Sequence, residues 1–264
     1  MPTLTLTPHQ TIHYHSINPQ GTRTVLLLHG LGACGESWGL QVPALVQAGF
    51  HVIAPDIRGF GQSSYPGGKL SIPDMANDMQ ILLRTLGKTS ANVAGISMGG
   101  AIALQLALDA AEMVDRLILV STFARLRVRR PDVLVYFGLR FLLVYTLGLE
   151  TQAKAVARRI FPLPTQGALR DELVREIIQA DPQGYRAAMR ALIHFDVVNR
   201  LPELRMPVLI VTGERDTTVP RETQDSLARR IQIVSHVIIP DAGHAVIADQ
   251  PEIFNRLLIE FLCN

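Results

Sequence analysis

Cysteine is scarce: Cys34 and Cys263 are the two in a chain of 264 residues. Two thiols so far apart make neither a disulfide framework nor a zinc cluster, and a reducing compartment fits them best. A charge excess is also missing, with 25 Lys and Arg against 23 Asp and Glu. No broad basic field is therefore available to attract nucleic acid, which is not expected as a partner. The N-terminus has no basic segment followed by an apolar block. Met1-Pro2-Thr3-Leu4-Thr5-Leu6-Thr7 alternates instead, so no secretory leader is visible and a cytoplasmic location is expected. Nor is there a clean membrane span. Residues 133–149 are almost wholly apolar, but Arg140 interrupts them, and a span needs ~20 apolar residues with no such charge near its centre. The hydrophobic content, 48%, is enough for a full α/β core. One main domain with an insertion is expected.

The stretch that organises the chain is Gly95-Ile96-Ser97-Met98-Gly99-Gly100. It lies between an apolar run, 91–94, and a small-residue helical run that begins at Ala101. A strand that turns sharply into a helix leaves its apical residue strained with the side chain projecting outward, which suits a nucleophilic hydroxyl. Ser97 is the predicted apex, flanked by Gly95 and Gly99 because strand and helix pass too closely there for a β-carbon.

Around it the chain reads as strands and helices in alternation. Residues 3–7 and 11–17 alternate with period two about Pro8-His9-Gln10, predicting a hairpin. His13 and His15 share a strand face there, with no Cys or carboxylate nearby in sequence to complete a metal site, so they are expected as solvated residues and no metal is expected. Residues 24–28 form a continuous apolar run that ends in His29-Gly30-Leu31-Gly32. Such a turn can aim backbone N–H groups into a cleft, and Leu31 and Met98 are the candidate oxyanion donors. Trp38 either walls a pocket or packs in the core, and Cys34 reads as a small buried filler. After a strand at 50–54, the loop Asp56-Ile57-Arg58-Gly59-Phe60-Gly61-Gln62-Ser63 is expected to be held by its own charge-assisted hydrogen bonds. Ser71 caps a helix that closes at Gly87.

Beyond a strand at 116–120 the rhythm breaks. Residues 123–200 open with Arg125, Arg127, Arg129 and Arg130, pass through the apolar 133–149 run, and continue with helical spacing at Leu169, Leu173, Ile177 and Ile178, then Tyr185, Met189, Leu192 and Ile193. A lid whose apolar face covers a pocket is expected, ahead of an interfacial helix that touches lipid. His194 and Asp196 are expected in structural roles. The sheet resumes at 207–212 and stops at Gly213-Glu214-Arg215-Asp216. A carboxylate just past a strand's C-terminal end points into the crevice where open α/β sheets bind ligands, so Asp216 is favoured over its neighbour Glu214 as the acid. The last strand, 234–239, leads to Pro240-Asp241-Ala242-Gly243-His244, and His244 completes the chain order Ser, Asp, His.

These motifs together resemble the α/β-hydrolase superfamily over essentially the whole chain. The resemblance implies an eight-stranded, mostly parallel sheet with helices on both faces and a helical lid inserted after the sixth strand. The core would be 1–122 and 201–264, and the lid 123–200. It places the nucleophile after strand five, the acid after strand seven and the histidine after strand eight, hence Ser97, Asp216 and His244. Relatives that use an Asp nucleophile, such as dehalogenases and epoxide hydrolases, are disfavoured by Ser97. Carboxylesterases, lactonases, thioesterases, perhydrolases and carbon–carbon bond hydrolases share the motifs. The expectation is a serine carboxylesterase that acts on small esters with water and needs no cofactor, with Trp38, Val219 and Ala245 walling the substrate pocket. A lactonase or carbon–carbon bond hydrolase and a low-turnover ligand receptor are the alternatives. Arg190 is the residue a carbon–carbon bond hydrolase would use for a substrate carboxylate, but a solvated helical arginine is the favoured reading.

Overall fold

The structure is a computed structural model that describes residues 2–126 and 131–264, without the side chains of 131–133, 136 and 137. Eight strands, β1 (Thr3–Thr7), β2 (Gln10–Ile17), β3 (Arg23–Leu28), β4 (Phe50–Pro55), β5 (Ala91–Ile96), β6 (Val114–Val120), β7 (Val208–Gly213) and β8 (Val234–Ile239), form one sheet. Their order is β1-β2-β4-β3-β5-β6-β7-β8. The opening hairpin pairs antiparallel, and β2 pairs antiparallel with β4. Every later pairing is parallel.

Among the described residues ten α-helices accompany the strands: α1 (Val42–Gln47), α2 (Ile72–Thr85), α3 (Met98–Asp109), α4 (Pro131–Thr146), α5 (Gly148–Ile160), α6 (Gly167–Gln179), α7 (Pro182–His194), α8 (Arg221–Ala228), α9 (Val246–Asp249) and α10 (Pro251–Cys263). The apolar run in β3 is buried on both faces because successive side chains point to opposite sides of the sheet. Leu26 and Leu28 join one core with Met75, Met79 and Ala101 of α2 and α3. Val25 and Leu27 join the other with Leu45 of α1 and Phe254 of α10. Helix α2 starts at Ser71, whose amide donates to the Asp74 carboxylate at 2.8 Å while its hydroxyl accepts from the Asp74 amide at 3.3 Å. That reciprocal cap satisfies two amides the helix cannot bond internally.

Helices α4–α7 stand between β6 and β7. Val144, Ala153, Ile177, Tyr185 and Met189 pack them onto the core that contains α2 and α3. The outer side of α4 keeps Leu134, Val135, Leu139 and Leu142 exposed. Arg125 pairs with Asp196 at 2.6 Å, closing the base of the insertion, whereas Arg127, Arg129 and Arg130 lie outside the described residues. Among the described residues no helix is long and apolar enough to cross a membrane.

The expectation for His13 is overturned. It is 3% exposed, and its Nδ1 lies 3.0 Å from Oδ2 of Asp56. Antiparallel pairing of β4 with β2 brings Asp56 beside His13 from 43 residues away, which no local pattern announces. His13, His15 and Asp56 do offer three ligand atoms within 4.8 Å of one another. The Asp56 carboxylate, however, already accepts from the Gly35 and Gln62 amides at 2.8 Å each, besides facing His13. It therefore ties β2, the turn after β3 and its own loop together, and Arg58 reaches across to Asp78 of α2.

Candidate active site

Ser97 sits between β5 and α3 with φ 54° and ψ −113°, a conformation rarely adopted by a residue with a side chain. The surroundings hold it there. Its amide donates to the Val120 carbonyl at 2.9 Å, and its carbonyl accepts from the Thr122 hydroxyl at 2.7 Å. A β-carbon on Gly95 would overlap the Gly99 carbonyl, and one on Gly99 would overlap that of Leu28. Glycine at both positions is therefore what lets the strand turn this tightly into the helix.

The turn after β3 lies against this elbow: a β-carbon on Gly30 would stand 3.7 Å from that of Ser97. Buried His29 fixes the turn, with Nδ1 2.8 Å from the Gly30 carbonyl and Nε2 accepting from the Ile57 amide at 2.9 Å. Burial lowers the pKa of this imidazole and favours its neutral form, outweighing the Gly30 carbonyl and the Asp56 charge. Leu31 follows in the turn and lines the cavity below. Met98 opens α3, so its amide has no acceptor one turn back in the helix.

His244 and Asp216 are joined directly, Nδ1 to Oδ2, at 2.9 Å. Their side chains are 7% and 1% exposed. The other Asp216 oxygen accepts the Thr218 and Val219 amides at 2.8 and 2.9 Å. Burial alone would push this carboxyl up, but the charge and hydrogen bond of His244 and the two amides together hold it below the usual carboxylate range. Glu214 is exposed and accepts from the Asp241 amide. The His244 loop is also braced, because the Gly243 amide donates to Asp249 at 2.8 Å and Gln166 of the insertion donates to the same carboxylate at 2.7 Å.

Ser97, His244, Leu31 and Ala245 share the wall of one cavity of about 390 Å³. Its remaining wall is mainly apolar and is shared between the core and the insertion, the latter including Val156, Ile160 and Leu173. Two of the three expected pocket residues are misplaced by the sequence reading. Trp38 is fully buried in the core on the α10 side, its ring 6.3 Å from that of Phe254, and Ser37, Gly39 and Leu40 line the cavity instead. Val219 is buried and serves Asp216 through its amide, while its neighbour Thr218 faces the cavity. Arg190 is exposed and bonds to Tyr145. The arginine that does line the cavity is Arg140, 7% exposed, which donates to Tyr185 at 2.6 Å. Glu176 lines it too. A charge that interrupts an apolar run was the available signal for Arg140. For Glu176 there was none, since it stands among Glu172 and Arg175 in what reads as a solvated helix face.

The chain matches the alpha/beta hydrolase fold family over residues 23–251. It is 30% identical over 257 residues to a Variovorax paradoxus protein named "Putative carbamate hydrolase RutD", covering 95% of this chain and 96% of that one. Among solved structures it is similar to the enol-lactonase of Burkholderia xenovorans LB400, with a TM-score of 0.91 at 26% identity and full coverage of both chains. A thermophilic esterase from Thermogutta terrifontis gives a TM-score of 0.87 at 28% identity, covering 99% of this chain and 98% of that one. With the match spanning most of the sequence and the sheet eight-stranded and mostly parallel as expected, the chain belongs to the alpha/beta hydrolase fold family and is a hydrolase.

Proposed function

We propose that the protein hydrolyses small carboxylic esters through an acyl-enzyme on Ser97. The observation that carries this reading is the buried 2.9 Å contact between His244 and Asp216, with His244 and Ser97 on the wall of the same cavity. A serine hydroxyl is a weak nucleophile near neutral pH and needs a base. In this reading the Ser97 hydroxyl oxygen bonds to the ester carbon while His244 takes its proton. His244 then gives that proton to the departing alkoxide. Water next attacks the acyl carbon, its proton passing to His244 and on to Ser97 as the carboxylic acid leaves. Asp216 holds the imidazole in the tautomer that presents a basic nitrogen to Ser97 and offsets the charge that forms, without becoming protonated. The amides of Leu31 and Met98 receive the oxyanion, and each is worth about 2.7–4 kcal/mol in the transition state. We read α4–α7 as a cap over the reacting atoms, because its apolar residues complete the cavity.

A cyclic ester is a second reading favoured by the likeness to the enol-lactonase. There the alcohol released stays on the acyl chain, and the steps are otherwise the same. Turnover of p-nitrophenyl butyrate, followed beside a panel of lactones and carbamates, ranks the classes. Ser97→Ala is expected to lower kcat by about 10⁶-fold. Hydrolysis that survives in that variant would remove the mechanism.

A further inference from the structure

Glu176 is the unexplained group of the cavity. It projects from α6 of the insertion into the space that Ser97 and His244 share. The Ser37 hydroxyl lies 3.1 Å from each of its oxygens, and the Cys34 thiol lies 3.7 Å from one. One hydroxyl proton serves only one oxygen at a time, and a thiol is a weak donor. The carboxylate therefore keeps acceptor capacity that the protein leaves unused, inside a mostly apolar wall. Arg175 on the same helix pairs with Glu172.

The charged groups around it are unfavourable to an anion. Burial is the largest influence on its acidity and raises the pKa. The Ser37 hydrogen bond opposes this, Glu172 adds to it, the Cys34 contact opposes it, and Glu36 adds to it again, with no cation among these influences. The carboxyl is pushed up to about 7. Arg140, on α4, lines the cavity with its guanidinium bonded to Tyr185, and Glu36, Glu172 and His244 are the other titratable groups on its wall. An under-bonded carboxyl that faces the substrate space is explained by a donor that the substrate brings.

Building on the hydrolase reading of this cavity, we propose that Glu176 is a specificity-determining residue that accepts a protonated amine carried by the substrate at a distance from its scissile carbonyl. Charge then opposes substrates with a free carboxylate at that end. A charge-assisted hydrogen bond of this kind corresponds to roughly ten- to hundredfold in affinity.

The test is calorimetric titration of the protein with n-hexylamine and with n-hexanol. The ammonium is expected to bind at least about tenfold more tightly than the alcohol at pH 8. Its affinity is expected to fall about tenfold by pH 6, as the ionised fraction of a carboxyl with a midpoint of about 7 falls. Glu176→Gln is expected to abolish both differences. Ser37→Ala, which removes a hydrogen bond that favours the charged form, is expected to move the midpoint upward. Equal binding of amine and alcohol, no binding of the amine, or an unchanged preference in Glu176→Gln would each overturn the proposal. An unmoved midpoint in Ser37→Ala would do so if the Gln variant fails to fold. Turnover of p-nitrophenyl hexanoate by the same preparation separates the two readings. Amine binding without ester turnover breaks only the esterase reading, and Ser97-dependent turnover without amine binding breaks only this one.

Discussion

The rim of the sheet and the helical insertion above it face the same cavity but are built on different principles. At the rim the groups around the serine and histidine are tied down: Asp216 takes two amides and His244, and the Ser97 carbonyl takes the Thr122 hydroxyl. Backbone strain at Ser97 persists because so many contacts over-determine it. In the insertion, α4 leaves Leu134, Val135, Leu139 and Leu142 exposed, and Glu176 leans on a single hydroxyl and a thiol. Reaction chemistry needs groups held to a fraction of an ångström, whereas choosing a substrate needs a surface that can vary without disturbing them. Gln166 and Asp249 are one point where the two meet, joining the insertion to the histidine loop.

The comparison breaks most visibly at the rim. Asp216→Asn keeps the shape of the side chain but favours the wrong imidazole tautomer, and it is expected to lower kcat for p-nitrophenyl butyrate by about 10⁴-fold. A loss under tenfold would show that the Asp216–His244 contact does not serve turnover.

Where insertion meets core, the expected effect is smaller and depends on pH. Folding weakens the acidity of Glu176 from its ordinary 4.5 to about 7, so ionisation opposes the fold. Its contribution to stability is full below about pH 4.5 and is lost as pH rises through 7. Glu176→Gln is therefore expected to match the wild type in denaturant unfolding near pH 4.5 and to exceed it by on the order of 2–3 kcal/mol at pH 8. A difference independent of pH would mean that the carboxyl is not desolvated as its burial implies.

On the outer face of α4 the effect should be smallest. Leu142→Gln touches an exposed side chain and is expected to change stability by less than about 0.5 kcal/mol. A larger loss would show that this face is covered in solution.

The parts legible in the sequence are those decided locally. Continuous apolar runs marked β3, β5 and β7 because strands buried on both faces admit little else. Ser71 and Asp74 marked the start of α2 by chemistry within one turn. The glycines around Ser97 announced close packing, and the carboxylate and histidine that follow β7 and β8 were findable from strand order. His13 was misread because its partner Asp56 arrives through strand pairing. Trp38 is ambiguous in the sequence because one residue of rotation in a short helical turn decides whether a side chain faces the cavity or the core. Arg140 stood out as a charge inside an apolar run and Glu176 looked like an ordinary helix charge, and only the docking of α4 and α6 placed both on the cavity wall.

The sequence by itself determined the layered sheet, the order of its elements and the three side chains at its rim, since strand burial and tight turns constrain residues close along the chain. The tertiary structure decided what the cavity is made of. Which face of a helix meets the cavity depends on how whole elements pack, and that balance is struck among residues dozens of positions apart.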